Sequence, residues 1–356
     1  MVRRVDWLLI TPTCLLLVLG LTVLQSVTPN LVFQQATIMA VGLLFLVFVS
    51  LINYQILASF SKAAYILTLI LLIATVLIGQ ATRGSVRWIP LGLFNLQTSE
   101  IAKPLLIMFF ARVLSSNPPK KFVQVIVSTM LIALPVFLIF RQPDLGSSLV
   151  LIFVWLGMMF VAGVPIRYFA IGAVVSAIFL PIGWHFLATY QKSRLTTFID
   201  PLSDPLKSGY HLMQSIVAVG SGGLWGRGLG QGTQSQLRFL PESHTDFIFA
   251  SLAEELGLVG SLLLLVLLAC LLSRILRVSH QAVDKYGELI SAGVFFMIAF
   301  QAFINIGMNI GLVPITGITL PLISFGGSSL LSTLLSLGLV ASISNKTSKT
   351  FPFEIR

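Results

Sequence analysis

Apolar residues run along this chain in long blocks, and short polar or charged stretches close each block. The blocks cover residues 7–27, 32–52, 63–80, 98–114, 122–140, 145–163, 166–188, 247–272, 287–310 and 322–343. They hold few charges. A run of roughly 20 such residues, rising 1.5 Å per residue in a helix, spans the hydrocarbon of a bilayer. The pattern predicts an all-α integral membrane protein, a bundle of about ten transmembrane helices. One interval, residues 189–246, is too long to be a turn and reads as a large loop. No repeat, low-complexity tract or composition shift divides the chain, so residues 1–356 read as a single polytopic membrane domain.

Composition agrees: 56% of residues are hydrophobic and 10% charged, where a soluble domain carries about 25% charged residues. The formal charge of +10 does not point to nucleic acid, because no basic run exceeds two residues. It follows topology instead. With the N-terminus inside, the cytoplasmic segments hold Arg3, Arg4, Lys62, Arg112, Lys120, Lys121, Arg167, Arg274, Arg277, Lys285, Lys346, Lys349 and Arg356. The short outer loops hold only Arg83, Arg87 and Arg141. The positive-inside rule then predicts both termini in the cytoplasm and the 189–246 loop outside. Residues 7–27 lack a small-x-small cleavage site and read as the first membrane helix. Cys14 and Cys270 lie inside apolar blocks, placed for neither a disulfide nor a metal.

Charges at membrane depth are costly, so their positions carry information. Glu100 and Lys103 share one helical face, as a packing ion pair or as part of a site, and Pro104 is expected to interrupt their helix. Arg83 and Arg87, beside Trp88, could hold a lipid phosphate or flank an aromatic anchor. Asp144, in Arg141-Gln142-Pro143-Asp144, is placed to N-cap the next helix. In the long loop, Asp200-Pro201 and Asp204-Pro205 signal turns. Leu212, Met213, Ile216 and Val217 mark a short amphipathic helix in the interface. Residues 220–232 hold seven glycines around Trp225 and Arg227. No Gly-Lys-Ser/Thr follows, so this is a tight turn rather than a nucleotide loop. Asp246 stands at the mouth of the next helix, where a carboxylate serves as an N-cap or as a general base at the water boundary. His244 and Asp246 alternate as metal ligands do, but two ligands are a weak signal. Glu254 and Glu255 lie roughly 12 Å deeper on that helix, for helix–helix bonding or for a polar path. Gly326 and Gly327, before Ser328 and Ser329, permit close helix packing.

Taken together, Gln97-Thr98-Ser99-Glu100-x-x-Lys103, Gln142-Pro143-Asp144-Leu145-Gly146, His244-Thr245-Asp246-Phe247 and Pro321-Leu322-Ile323-Ser324-Phe325-Gly326-Gly327-Ser328-Ser329 resemble the hallmark segments of the SEDS family. These are the RodA, FtsW and sporulation-type polymerases of bacterial cell-wall synthesis. The segments occur in the family's order across nearly the whole chain. Gln142, Leu145, Thr316 and Asn95 are similar to the RodA branch. Thr98 departs from the family's usual proline.

The resemblance implies a peptidoglycan glycosyltransferase of the bacterial cytoplasmic (inner) membrane, acting in cell elongation and shape. Its substrate would be lipid II, a disaccharide-pentapeptide on undecaprenyl diphosphate, and its catalytic carboxylate Asp246. Arg87, Lys103, Arg194 and Arg227, or a divalent cation such as Mg or Mn, would face the diphosphate. Glu100 and Lys103 would shape the cavity floor. Asp144, His244, Glu254, Glu255, Ser328 and Ser329 belong to its motifs or cavity. No nucleotide is needed, because the donor is already activated. The implied partners are a class B penicillin-binding protein (a transpeptidase), the elongation machinery and membrane lipid. A lipid-linked sugar flippase and a scaffold for the transpeptidase are the alternative readings.

Overall fold

The computed structural model describes residues 6–82, 85–90, 95–200, 208–237, 239–240 and 242–350. Arg3, Arg4, Arg83, Pro201, the Asp204-Pro205 turn, Pro241 and Arg356 lie outside the described residues. The chain forms α1 (Trp7–Val27), α2 (Val32–Leu51), the short α3 (Tyr54–Leu57) and α4 (Ser61–Ile78). Three strands follow, β1 (Gln80–Thr82), β2 (Ser85–Pro90) and β3 (Asn95–Gln97). Then come α5 (Thr98–Ser116), α6 (Phe122–Arg141), α7 (Leu145–Val161), α8 (Ile166–Phe186), α9 (Thr189–Ile199), α10 (Ser208–Ser221) and α11 (Thr233–Gln236). The chain closes with α12 (Ile248–His280), α13 (Lys285–Asn309) and α14 (Gly327–Thr350).

Each predicted block falls on one long helix: α1, α2, α4 to α8, and α12 to α14. Seven described helical segments are long and apolar enough to cross a membrane, and α7 and part of α8 are shorter apolar helices. Helix α5 falls below that hydropathy because it carries Glu100, Lys103 and Arg112. The last block differs in its start. Residues 321–326 form a turn in which Leu322 adopts φ 67°, and the helix begins at Gly327. The amphipathic helix of the loop is α10, with Leu212, Ser215 and Ala218 inward and Met213, Ile216 and Val217 exposed.

The small antiparallel sheet between α4 and α5, ordered β1-β2-β3, is absent from the sequence reading. Its strands are three to six residues long, too short for alternation to stand out between helix-length blocks. Pairing of Trp88 with Gln97 delivers the chain into the start of α5.

Helix α5 is continuous, contrary to the interruption expected at Pro104. Proline removes the bond to the carbonyl four residues back, here that of Glu100. Ser332 of α14 donates its hydroxyl to Glu100 O at 2.8 Å and fills the gap. Pro135 of α6 is treated alike, with Tyr65 donating to Leu131 O at 2.9 Å. Thr98 takes the first helical position, where proline is favoured, and its hydroxyl meets that of Thr75 at 2.7 Å.

Helices α5, α13 and α14 form the buried middle, with α2 along α14, α4 against α5, α7 against α13, and α1 beside α12. α12 is two helices in one. Gly257 adopts φ 67°, ψ −161°, a backbone that only glycine takes without strain. The break leaves backbone groups without helical partners, and the glycine-rich loop supplies them. Arg227 N and Gly228 N donate to the carbonyls of Glu254 and Glu255 at 3.0 Å each, while Leu258 N and Val259 N donate to Gly223 O and Leu224 O at 2.9 and 3.2 Å. A Cβ on Gly226 would lie 2.1 Å from Glu255 O, so no larger residue fits.

Candidate functional site

Asp246 lies on the loop-bearing side of the bundle, just before α12. The three carbonyls of His244, Thr245 and Asp246 are each held from outside. Phe325 N donates to His244 O at 2.9 Å, and Ser324 Oγ donates to Thr245 O at 2.7 Å. Asn305 Nδ2 and Asn309 Nδ2 donate to Asp246 O at 3.0 and 3.1 Å. Asn305 Nδ2 also reaches Ile318 O at 2.7 Å. Both asparagines are fully buried and share one face of α13 by their i, i+4 spacing.

The N-cap reading of Asp246 is corrected by the helix start. The N-cap residue of α12 is Phe247, which has no side-chain acceptor. The first-turn N–H of Ala250 is met at 3.2 Å by Asn309 Oδ1, so α13 caps α12 from outside. The N-cap position thus falls on Phe247 rather than on Asp246.

Arg194 of α9 comes to the same place. Gly317, at φ 74°, lies against both: a Cβ built on it would lie 3.5 Å from Arg194 Nη1 and 3.5 Å from Asp246 Oδ2. The guanidinium and the carboxylate are thus no more than twice that distance apart. The His244 ring tilts against Phe325 with centroids 5.7 Å apart.

A second polar group surrounds the start of α5. Asp144 caps α7 as expected, accepting from Ser147 N at 3.1 Å. It also accepts from Ser147 Oγ and Ser99 Oγ at 2.9 Å each and from Gln97 Nε2 at 3.0 Å. Burial alone pushes its carboxyl up, but the Arg87 charge and these donors outweigh burial and hold it below the usual range. Arg87 donates to Pro143 O, so it is committed to this corner. Lys103 Nζ and Glu100 Oε1 form an ion pair at 2.6 Å, with side chains 1% and 8% exposed. The pair is enclosed, and α14 lies against it, Ser332 bonding the Glu100 carbonyl. Ser328 accepts from Gln97 N at 2.9 Å, and Ser329 meets Thr319 at 2.8 Å. The start of α14 thus joins this group to the turn that holds His244 and Thr245.

The third group sits at the α12 break. Glu254 accepts from Gln234 N at 2.8 Å and from Ser235 N and Oγ at 3.1 Å each. Glu255 Oε1 accepts from Ser26 Oγ at 2.6 Å, and from Gly230 N and Gln236 Nε2 at 3.3 Å each. Both glutamates thus bind the loop. Arg227 stays with them, its Nη1 3.1 Å from Thr233 Oγ1. Among the described residues, no group of three or more His, Cys, Asp or Glu could hold a metal ion.

Asn305 and Asn309 were missed in the sequence. Their signal was two amides one turn apart inside an apolar block. Asn309→Ala removes the external cap and one Asp246 clamp. The expected cost is about 1–2 kcal/mol, read as a lowered unfolding midpoint in detergent, with Asn309→Asp, which keeps the acceptor, losing less.

The fold and site define a multi-pass membrane protein with a carboxylate and an arginine fixed where bundle and loop meet. The model of the FtsW, RodA and SpoVE family, described as cell cycle protein, matches residues 5–349; the chain belongs to this family. Peptidoglycan glycosyltransferase MrdB of Escherichia coli K12 is 39% identical over 342 residues, covering 93% of this chain and 92% of that protein. Stage V sporulation protein E of Bacillus subtilis is 38% identical over 356 residues, covering 95% and 96%. Among solved structures, a chain of a peptidoglycan synthase complex that coordinates polymerization and crosslinking superimposes with a TM-score of 0.84. It is 30% identical, with 97% of this chain and 98% of that chain covered. The rod shape determining protein RodA of Thermus thermophilus gives a TM-score of 0.73 at 29% identity, with 96% of each chain covered.

Proposed function

We propose that this chain is a peptidoglycan glycosyltransferase that polymerises lipid II on the outer face of the bacterial cytoplasmic membrane during cell elongation. The observation that carries the chemistry is the Asp246 carboxylate, with its backbone clamped by two buried asparagines and Arg194 of α9 beside it. The 4-hydroxyl of the acceptor sugar attacks the anomeric carbon of the donor with inversion. The new C–O bond forms as the bond to the diphosphate breaks, and the hydroxyl proton passes to Asp246. Undecaprenyl diphosphate departs with the electron pair. A positioned base of this kind contributes roughly 10²–10⁴-fold.

Arg194 suits the leaving group. A guanidinium near the carboxylate can bind a diphosphate in bidentate fashion. Lys103, enclosed with Glu100, acts by holding α5 in place. Arg87 and Arg227 hold loop corners. The engagement of Glu254 and Glu255 by the loop removes the feature that leaned toward a flippase. The partners proposed are a class B penicillin-binding protein with the elongation machinery, and membrane lipid.

Purified chain incubated with lipid II is expected to yield glycan strands without a nucleotide, more so with the transpeptidase present. No product under either condition would return the scaffold reading. Orientation has its own test. A cysteine at Leu229, an exposed loop position, should react with an impermeant maleimide added outside intact cells, and one at Lys120 only after permeabilisation. The reverse pattern would overturn the outward placement of Asp246.

A further inference from the structure

The face of the bundle opposite Asp246 carries a feature the glycosyl transfer does not use. Helices α5 and α6 follow one another in the chain, yet each packs on α4 and α7 rather than along its sequence neighbour. The wedge between the end of α5 and the start of α6 is a cavity of ≈ 330 Å³, within the range of about 300–1,000 Å³ typical of ligand sites. Val113 and Leu114 line it from α5 and Val123 and Val127 from α6, with Pro119 and the polar Asn117, Gln124 and Ser128 completing the wall. A smaller apolar cavity lies further along the same seam, between Phe110 and Ile132.

The rim of this wedge is cationic. Lys120 and Lys121 form the turn between the two helices, and both are exposed. Arg167, also exposed, joins them from the start of α8: its guanidinium carbon lies 5.0 Å from the Tyr168 ring centroid, and that ring is 5.9 Å from the ring of Phe122. No Asp or Glu occurs between Glu100 and Asp144, or between Asp144 and Asp200. Elsewhere on this face Arg274 is paired with Asp6, and Lys285 with Glu288. The three rim cations form no ion pair among the described residues. A slot with apolar walls of valine and leucine, beside unneutralised cations, matches one chemistry, an acyl chain below a phosphate.

We propose that the α5–α6 wedge is a binding site for an anionic phospholipid. Lys120, Lys121 and Arg167 hold the headgroup phosphate, the positive end of the α6 dipole adds to them, and one acyl chain fills the slot. The site is independent of the glycosyl transfer, so its test reads binding alone.

Purified full-length chain is equilibrated with equal amounts of phosphatidylglycerol and phosphatidylethanolamine in detergent, and the retained lipid is counted by native mass spectrometry. The wild type is expected to retain phosphatidylglycerol at least about tenfold over phosphatidylethanolamine. Each of K120Q, K121Q and R167Q should weaken that retention about fivefold, since each cation near an anionic lipid contributes on the order of 1 kcal/mol. The triple variant should show no preference. V127W leaves the cations but fills the slot, and should lose the retained lipid too. These side chains are exposed or face the wedge, and an unchanged unfolding midpoint establishes that each variant is folded. Equal retention of the two lipids by the wild type overturns the proposal. So does an undiminished preference in the triple variant, or full retention by V127W, which would reduce the rim to a non-specific charged surface.

Discussion

Asp246→Asn is expected to fold as the wild type does and to polymerise lipid II at least about a hundredfold more slowly. The amide keeps size and shape but cannot take a proton at neutral pH. The position alone suggested that Asp246→Ala would also lose a helix cap. The structure changes that expectation. Asn309 meets the first turn of α12, so Asp246→Ala should show no cap penalty, and the two variants should be similarly stable and similarly inactive. The measurement is glycan product per folded molecule, with unfolding midpoints for both. Wild-type product from Asp246→Asn would remove the base from the mechanism. A midpoint lowered in Asp246→Ala alone would restore a structural role for the carboxylate.

Lys103→Met should have the largest effect on stability. Its ammonium is 2.6 Å from Glu100 Oε1 with almost no solvent contact. Removing one partner leaves a buried charge uncompensated, at a cost of about 3–5 kcal/mol. The double variant Glu100→Gln/Lys103→Met removes both charges and should recover most of that loss. Because the pair is enclosed, the double variant is also expected to retain polymerisation within about tenfold of wild type, an order-of-magnitude margin for a group outside the reacting centre. Thermal unfolding in detergent and lipid II turnover on the same samples separate the cases. A stable but inactive double variant would move Lys103 into contact with the diphosphate.

The apolar blocks were legible because bilayer thickness imposes one length on every spanning helix. Asp144 was legible as a cap because a carboxylate before a helix has a local bonding pattern. Asp246 was found through its motif, while the N-cap position fell one residue later, on Phe247. The cap of α12 comes from Asn309, a residue 59 positions away from the N–H it meets, and no local rule encodes that. Pro104 misled in the same way: its missing bond is replaced by Ser332, far along the chain. The glycines of residues 220–232 announced an irregular turn, but nothing in the sequence said that the turn would bond into a break in α12. Glu254 and Glu255 read as helix–helix bonding or a polar path because only their depth was visible, not the loop that meets them.

The Gly257 break bears on how this protein can be rebuilt from parts. Four backbone bonds join the loop at residues 223–228 to the two halves of α12. At membrane depth each unsatisfied group costs several kcal/mol, so neither piece is complete alone. Loop and helix therefore form one unit of exchange. A chimera that takes α12 from a relative must bring that relative's glycine loop with it, together with the stretch from Gly230 to Gln236 that bonds the Glu254 and Glu255 side chains.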